Sequence, residues 1–355
     1  MKSFVYNAMP GRVVFGFGVL DRLAEEARGQ GCSRVLVLST AGRRAMGEAA
    51  AAQLGDLCVG LFDGAAMHTP VEVTERAMQV MRDTGADGVV SIGGGSAVGL
   101  SKAIAARTDV PQIVVVTTYA GSEATPILGE TRDGVKTTRR GMEILPEVIV
   151  YDVELTLDLP LEVSLPSGIN AMAHAVEGLY AVDANPPISL LAEEGLRAMS
   201  GALPRIKADP HDRDARSEAL YGAWACSAVM GSVSLGLHHK LCHTLGGTLG
   251  LPHAQTHAVM LPYVTAFNAP AAPEAMVRIA RALGVSDAAV GLHDLARSLC
   301  APLSLREIGA AEEGLDRVAD LVVASPYSNP RPVEREPIRA LLQDAFSGHA
   351  TFRAK

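Results

Sequence analysis

Histidines are concentrated in one short segment of this 355-residue chain, where five of the ten fall within twenty residues. They are His238, His239, His243, His253 and His257. Residues four apart share one face of a helix, so His239 and His243 would project together, as would His253 and His257 if their segment is helical. Imidazoles that converge from several helices can bind a divalent metal, hold carboxylates when protonated, or donate a proton. The clustering predicts that some of these histidines line a functional site.

Two further residues, Lys240 and His174, are predicted to belong to the same functional site. Lys240 lies inside the histidine segment, and we expect its ammonium group to face an anion. His174 follows Asn170 by four residues, so the two would share a face of a separate predicted helix. A single histidine on an apolar helix is usually structural, so the hypothesis depends on the group rather than on any one member.

A glycine-rich turn is the second chemical signal. Gly93, Gly94, Gly95 and Ser96 follow the apolar run GVVSI and precede a predicted helix. Consecutive glycines let backbone N–H groups approach an anion, and the start of a helix adds partial positive charge. The turn predicts a pyrophosphate site, with an ordinary tight turn between strand and helix as the alternative. The Rossmann fingerprint G-x-G-x-x-G and the P-loop motif are both absent from this sequence.

Hydroxyl side chains follow two other predicted strands. Thr117, Thr118 and Ser122 come after one of them, at the strand end where open α/β sheets bind ligands. Ser39 and Thr40 follow the first strand, where many dinucleotide enzymes carry an acidic residue for the ribose. A neutral Thr40 with two arginines shortly after it indicates that either NADH or NADPH is accepted.

The elements that position these residues change character along the chain. Over the first 160 residues, short apolar runs alternate with amphipathic helical stretches, which predicts a parallel sheet with crossover helices. Long Ala-, Leu- and Glu-rich segments follow and predict helices only. We therefore predict an α/β dinucleotide-binding domain over residues 1–158 and an all-helical domain over residues 159–355. The predicted strands are Arg34–Ser39, Gly88–Ile92, Gln112–Thr118 and Glu147–Asp152.

Composition excludes several classes of protein. The formal net charge is −8, which argues against nucleic-acid binding and requires local positive charge for any anionic substrate. The five cysteines form no C-x-x-C pair, which is typical of reduced thiols in the cytoplasm. No run approaches 18 apolar residues, so we expect no membrane partner.

The whole chain resembles the iron-containing alcohol dehydrogenase superfamily, and within it the maleylacetate reductase branch. The resemblance rests on long sequence segments that occur in the same order as in that superfamily. They are FGFGVLDRL, GGGSAVGLSKAIA, TTYAGSEATPI, SGINAMAHAVEGLYA, HHKLCHTLGGTLGLPHAQTHAVMLP and NPRP. It implies a dehydroquinate synthase-like fold, with an α/β NAD(P)-binding domain, an all-α domain, an active site in the cleft and a homodimeric assembly.

The resemblance also implies a ligand set. Metal-dependent members hold the ion with an aspartate and three histidines, and the matching positions here are Asn170, His174, His239 and His253. Asn170 supplies a neutral amide where a carboxylate would help to neutralise a dication. Together with the maleylacetate reductase likeness, this departure predicts catalysis without an obligatory metal.

The activity that the resemblance implies is the reduction of 2-maleylacetate, a dicarboxylate, to 3-oxoadipate by NADH or NADPH during the degradation of aromatic compounds. Cationic histidines and Lys240 would take the place of the metal, with His243 as proton donor and His239, His253 and His174 holding the substrate. Three alternatives stay open: a metal-dependent alcohol or polyol dehydrogenase, a lyase of the dehydroquinate synthase type, and a metal-storage or sensor protein.

Overall fold

The computed structural model describes residues 4, 6–9 and 11–354. The chain divides into two compact units. One is the α/β unit, Ala8–Leu159, and the other is the helical unit, formed by the described residues of Met1–Asn7 and of Pro160–Lys355. The two units meet in the chain between Leu159 and Pro160, and the described residues before Ala8 belong to the helical unit.

The α/β unit is built on a six-stranded sheet whose strand pairs are all parallel. The sheet strands are β1 Arg12–Gly16, β2 Val35–Leu38, β3 Cys58–Phe62, β4 Gly88–Gly93, β5 Gln112–Val116 and β8 Val148–Asp152. Their spatial order is β1-β8-β5-β4-β2-β3. The central strands are continuous Val-, Ile- and Leu-rich runs buried on both faces, as helices packed on each side require. The α-helices of this unit are α1 Leu23–Gly29, α2 Arg44–Leu54, α3 Val71–Thr84 and α4 Gly95–Thr108.

The order of the strands creates a crevice at the carboxyl ends of the central strands. From β2 the chain runs outward to β3 and then returns to place β4 on the other side of β2, so the winding reverses between β2 and β4. The carboxyl ends of β2, β4 and β5 are therefore adjacent, and such reversal points are where open α/β sheets bind ligands.

Two parts of this unit were not predicted from the sequence. Strand β3, with the sequence CVGLF, was missed although it is apolar, because the run is short, contains Gly60 and is only half-buried. An antiparallel hairpin of β6 Ile127–Arg132 and β7 Val135–Arg140 was also missed, since its polar sequence lacks the apolar alternation of a half-buried strand.

The helical unit consists of nine α-helices among the described residues. They are α5 Leu161–Leu179, α6 Pro186–Ala208, α7 Arg213–Ser232, α8 Leu237–Leu249, α9 His253–Asn268, α10 Pro273–Leu283, α11 Ala288–Ser298, α12 Leu315–Val323 and α13 Arg335–Ser347. No single described helix has both the length and the apolar composition of a membrane span; only α7 and α8 taken together meet those criteria, and they are bent by 97°.

Two helices have burial patterns that position the histidines. From Ser164 to Leu179 every residue of α5 is buried, so its polar side chains face other helices rather than water. On α8, Leu237, Leu241 and Leu245 recur every four residues and pack in the core with α9, α12 and α13. Because His239 is two positions, or about 200°, around the helix from Leu237, it projects from the opposite side.

Candidate active site

Six imidazoles form one continuous group in the helical unit. Helix α5 contributes His174, α8 contributes three members and α9 contributes two, and every member contacts at least one other. The separations between ring centroids are 5.2 Å for His174–His239, 5.1 Å for His239–His257, 4.8 Å for His238–His257, 4.4 Å for His253–His257, and 6.0 Å for both His239–His243 and His243–His253. The structure thus brings together all six histidines that the sequence analysis selected, including His174 from a distant segment.

The imidazole group has a buried end and an exposed end. The side chains of His174, His238, His239 and His257 are buried. His243 and His253 are exposed, and their rings are stacked on each other at 6.0 Å. A ligand arriving from solvent would therefore meet His243 and His253 first, with His239 in contact with His243 beneath them.

The buried imidazoles are held by hydrogen bonds that the spacing of the histidines did not reveal. Nε2 of His238 and Nδ1 of His257 lie 2.9 Å apart. The carboxylate of Glu177, on α5, accepts a hydrogen bond from the backbone N–H of His238 at 2.8 Å and is hydrogen-bonded through its other oxygen to Nδ1 of His239. Glu177 was not selected from the sequence, although it follows His174 by three residues and so lies on the same helical face.

Burial determines the charge of these groups. It lowers the pKa of His238 to about 3 and that of His174 and His257 well below the ordinary value, with further lowering by neighbouring imidazoles. Burial alone would raise the pKa of Glu177, but its interactions with His239 and His238 outweigh this, and the net shift is downward. The neutral form of His174 is therefore favoured in this environment.

Lys240 lies apart from the imidazoles. Its Nζ is 3.3 Å from the hydroxyl of Ser325 and 5.9 Å from the ring centroid of Tyr327. One residue along a helix is a rotation of about 100°, so Lys240 and His239 leave α8 in different directions. The expectation that Lys240 joins the imidazoles around an anion has no described contact to support it.

The geometry for a metal can be tested at the positions implied by the resemblance. Two nitrogens bound to one zinc ion at 2.0–2.1 Å cannot lie more than about 4.2 Å apart. Among the described residues, one set of three side chains brings its ligand atoms within 4.8 Å of one another, and that set is His238, Cys242 and His257. His174, His239 and His253 form no such set in the described part of the chain, Asn170 adds no negative charge, and Nδ1 of His174 and Nε2 of His239 are buried without a hydrogen-bond partner among the described residues.

The predicted pyrophosphate turn lies at the crevice of the α/β sheet. Gly93 ends β4 with a φ of 147°, Gly94 precedes α4 as its N-cap, and Gly95 is the first helical residue. The backbone N–H of Thr117 donates to the carbonyl of Gly93 at 3.1 Å, which joins this turn to the loop after β5. A Cβ on Gly94 would lie 3.0 Å from the side chain of Thr118, so the glycine permits this close packing.

The remaining predicted cofactor residues occupy different environments. Ser96 lies half-buried in the first turn of α4, and Thr40 is half-buried beyond β2. Ser39 is fully buried, and a Cβ on Gly47 would lie 3.0 Å from its hydroxyl, so this side chain points beneath α2 rather than toward the crevice. Ser122 begins a short 3₁₀ turn instead of capping an α-helix.

A buried lysine organises the loop after β5 and was not selected from the sequence. Lys102, on α4, is buried, and its Nζ donates to the carbonyls of Thr125 at 2.7 Å and Ile127 at 3.0 Å, and also to the carbonyl of Ser122. Burial lowers the pKa of Lys102 to about 7, partly offset by Glu123. Lys102 thus ties the loop to the helix whose first residues form the glycine turn.

A cavity of about 270 Å³ in the helical unit is lined by Glu177 and by none of the histidines. Tyr180, Tyr327 and Asn329 also line it, and the hydroxyl oxygens of both tyrosines are buried without a hydrogen-bond partner among the described residues. Such a polar cavity is suited to water. Because no histidine lines this cavity, it is separate from the exposed face formed by His243 and His253.

Two family descriptions match most of the chain. The description "Iron-containing alcohol dehydrogenase" matches residues 10–153, and "Fe-containing alcohol dehydrogenase family, C-terminal" matches residues 164–346.

Similar proteins match over nearly their whole length. The maleylacetate reductase of Rhizobium sp. (strain MTP-10005) is 58% identical over 348 residues, which cover 98% of this chain and 99% of that protein. The maleylacetate reductase of Sphingobium indicum is 54% identical over 346 residues, covering 98% of each. The crystal structure of maleylacetate reductase from Agrobacterium tumefaciens has a TM-score of 0.96 at 57% identity, covering 98% of this chain and 99% of that one.

Proposed function

Because the chain belongs to the iron-containing alcohol dehydrogenase family, and matches maleylacetate reductases over almost its entire length, we propose that it reduces 2-maleylacetate to 3-oxoadipate with NADH or NADPH. It is an oxidoreductase, and the reduced bond is the C=C bond conjugated to the substrate ketone. We assign the reaction to the degradation of aromatic compounds, following the resemblance.

The reaction transfers one hydride and one proton. Bound NADH or NADPH would supply a hydride to the alkene carbon β to the ketone, and the negative charge would then develop on the ketone oxygen of the substrate. A hydrogen-bond donor aimed at that oxygen stabilises charge that develops during the reaction. A proton then reaches the α-carbon and completes the product.

The imidazole group supplies the donors in this scheme. His243 donates the proton, because it is exposed and can exchange protons with water after each turnover. His239, His253 and His174 hold the carboxylates or the enolate oxygen. Burial holds the pKa of His174 well below its ordinary value, and a dianionic substrate beside the ring would counteract that shift.

The single observation that carries this assignment is the continuous imidazole group with an exposed end at His243 and His253. We propose that the group works without an obligatory metal, because Asn170 brings no negative charge to the ligand set that the resemblance implies. An alcohol or polyol dehydrogenase of the same family would depend on a bound ion.

The glycine turn and the first turn of α4 would hold the pyrophosphate of the cofactor. Thr117, Thr118 and the residues beyond β2 surround the rest of it. Thr40 cannot repel a 2′-phosphate, and Arg43 is exposed nearby, whereas Arg44 is already paired with Glu48 and Asp63. We therefore expect both NADH and NADPH to be used.

A spectrophotometric assay tests the assignment. Oxidation of NADH and of NADPH is followed with maleylacetate, before and after dialysis against EDTA, with the metal content measured in parallel. We expect oxidation with both cofactors and no loss of rate after EDTA. Absence of oxidation with both cofactors rejects the function, whereas loss of rate restored by Fe²⁺ or Zn²⁺ rejects only metal independence.

We further propose that the enzyme is a cytoplasmic homodimer. All five cysteines are free thiols, which are typical of a reducing compartment. Strand β1 is at the edge of the described sheet and exposes Val13 and Phe15, so a second copy could add its own strand there. The net charge of −8 argues against nucleic acid as a partner.

A further inference from the structure

Glu177 is a buried carboxylate that connects two of the helices bearing histidines. It lies on α5 and is 1% exposed, yet both of its oxygens are hydrogen-bonded to α8. A buried carboxylate is costly unless its charge and hydrogen-bonding capacity are met, and here they are met by the backbone of His238 and the ring of His239. No other described carboxylate is hydrogen-bonded to a member of the buried imidazole group.

The first bond gives α8 a cap from outside its own sequence. The N-cap residue is Gly236, which has no side chain to accept from the first N–H groups of the helix. Glu177 accepts from one of them and places negative charge at the positive end of the helix. A Cβ on Gly236 would lie 3.3 Å from the Glu177 oxygen, so glycine permits this approach.

The second bond determines which nitrogen of His239 is available. An ionised carboxylate only accepts hydrogen bonds, so Nδ1 of His239 must carry a proton. Nε2 is then the nitrogen left for other partners; it is buried and has no hydrogen-bond partner among the described residues. The ring is also stacked on His174 at 5.2 Å, which restricts its rotation.

We propose that Glu177 is a positioning residue for the reduction: it holds His239 in the Nδ1–H form and thereby presents Nε2 to the substrate. The identity of the substrate rests on the proposed function, but the tautomer does not. Glu177 itself does not touch substrate or cofactor. Its effect passes through His239, in the way that carboxylates orient histidines in other sites.

The direct test is ¹⁵N NMR of the imidazoles in the free protein, with the His239 signals identified by their loss in His239→Gln. We expect the shift of a protonated nitrogen at Nδ1 in the unmodified protein. In Glu177→Gln the amide oxygen is retained by the His238 N–H and the amide N–H₂ faces Nδ1, so the proton moves to Nε2. A bare Nδ1 in the unmodified protein overturns the proposal without any variant.

Kinetics separate positioning from simple loosening of α8. The matched control is Asp183→Asn, because Asp183 binds the backbone N–H and hydroxyl of Ser234 just before α8 and touches no imidazole. We expect Glu177→Gln to lower kcat with maleylacetate by about 10- to 100-fold with little change in the KM for NADH. Asp183→Asn should stay within about twofold of the unmodified enzyme.

The outcomes are distinguishable. Equal losses in the two variants, or an unchanged His239 tautomer in Glu177→Gln, overturn the positioning role. If Glu177→Gln does not fold, the tautomer measured in the unmodified protein decides. Failure of the proposed function would appear as absent maleylacetate reduction in the unmodified enzyme, while the NMR measurement would still test Glu177.

Discussion

At the scale of single residues, the imidazole group shows how burial divides one residue type into different roles. The rings of His238 and His257 are buried, neutral and hydrogen-bonded to each other, which suits a structural role. His243 is exposed and in contact with His239, which suits proton exchange with solvent. Residue type alone does not separate these roles, because the difference lies in the surroundings.

The first prediction concerns His243. Replacing it by alanine removes the proposed proton donor without emptying a buried position. We expect His243→Ala to lower kcat by roughly 10²- to 10⁴-fold, the usual contribution of general acid catalysis, with NADH binding unchanged. The measurement is NADH oxidation at saturating maleylacetate.

The matched control for His243 is His211→Ala, which removes an exposed histidine that contacts none of the imidazoles. Its rate should equal that of the unmodified enzyme. Near-normal turnover in His243→Ala would remove His243 from the scheme.

At the scale of elements, the glycine turn depends on how a strand, a helix and a loop meet. Gly94 has to be small because Thr118 packs against it, whereas a Cβ on Gly95 would have no protein atom within 4 Å. Open space beside the first residue of α4 is what an approaching pyrophosphate requires. Gly94 therefore allows close packing within the protein, whereas Gly95 leaves space for a bound cofactor.

The second prediction uses this difference. In Gly95→Ala the added methyl group would occupy the space proposed for the cofactor, so we expect the KM for NADH to rise about tenfold. The thermal midpoint should be unchanged or slightly higher, because alanine is the better helix former by about 1 kcal/mol. Gly201→Ala, at an open and exposed position in α6, is the control. Unchanged KM in Gly95→Ala would contradict a cofactor at this turn.

At the scale of the whole molecule, burial of several neutral histidines links stability to pH. The folded-state pKa of His238 is about 3, against an ordinary value of 6.5, and those of His174 and His257 are also well below it. Between these values the unfolded chain binds protons that the folded protein excludes. The stabilisation is complete above pH 6.5 and is lost as the pH falls toward the folded-state values.

The third prediction follows from that sign. The urea concentration at the unfolding midpoint should fall between pH 7 and pH 5, and the fall should be smaller in His238→Gln. His349→Gln, which changes an exposed histidine, should keep the full pH dependence. A midpoint that stays constant over this range would show that the buried imidazoles take up protons without unfolding.

The fourth prediction concerns the edge of the sheet. Phe15 on β1 is 38% exposed, and burial of this strand by a second copy would make a charge there costly. We expect the unmodified protein to elute as a dimer and Phe15→Glu as a monomer in size-exclusion chromatography with light scattering. Leu321→Glu, at a comparably exposed apolar position on α12, should remain dimeric. A monomeric unmodified protein would contradict the homodimer.

Much of this architecture follows from the amino-acid sequence, because its signals are local. Continuous apolar runs predicted four of the six sheet strands, and the glycine turn was placed correctly between β4 and α4. Spacing by four residues placed His239 and His243 on one helical face. The long sequence segments and their order along the chain were sufficient to identify the family.

Tertiary structure decided the contacts between segments that are far apart in the chain. Glu177 and His239 are 62 positions apart, and no local pattern connects them. The direction of Lys240 and the burial of Ser39 beneath α2 depend on which helix faces pack together. Helical and strand periodicity determine which residues share a face, but only the packing of one element on another determines what that face meets.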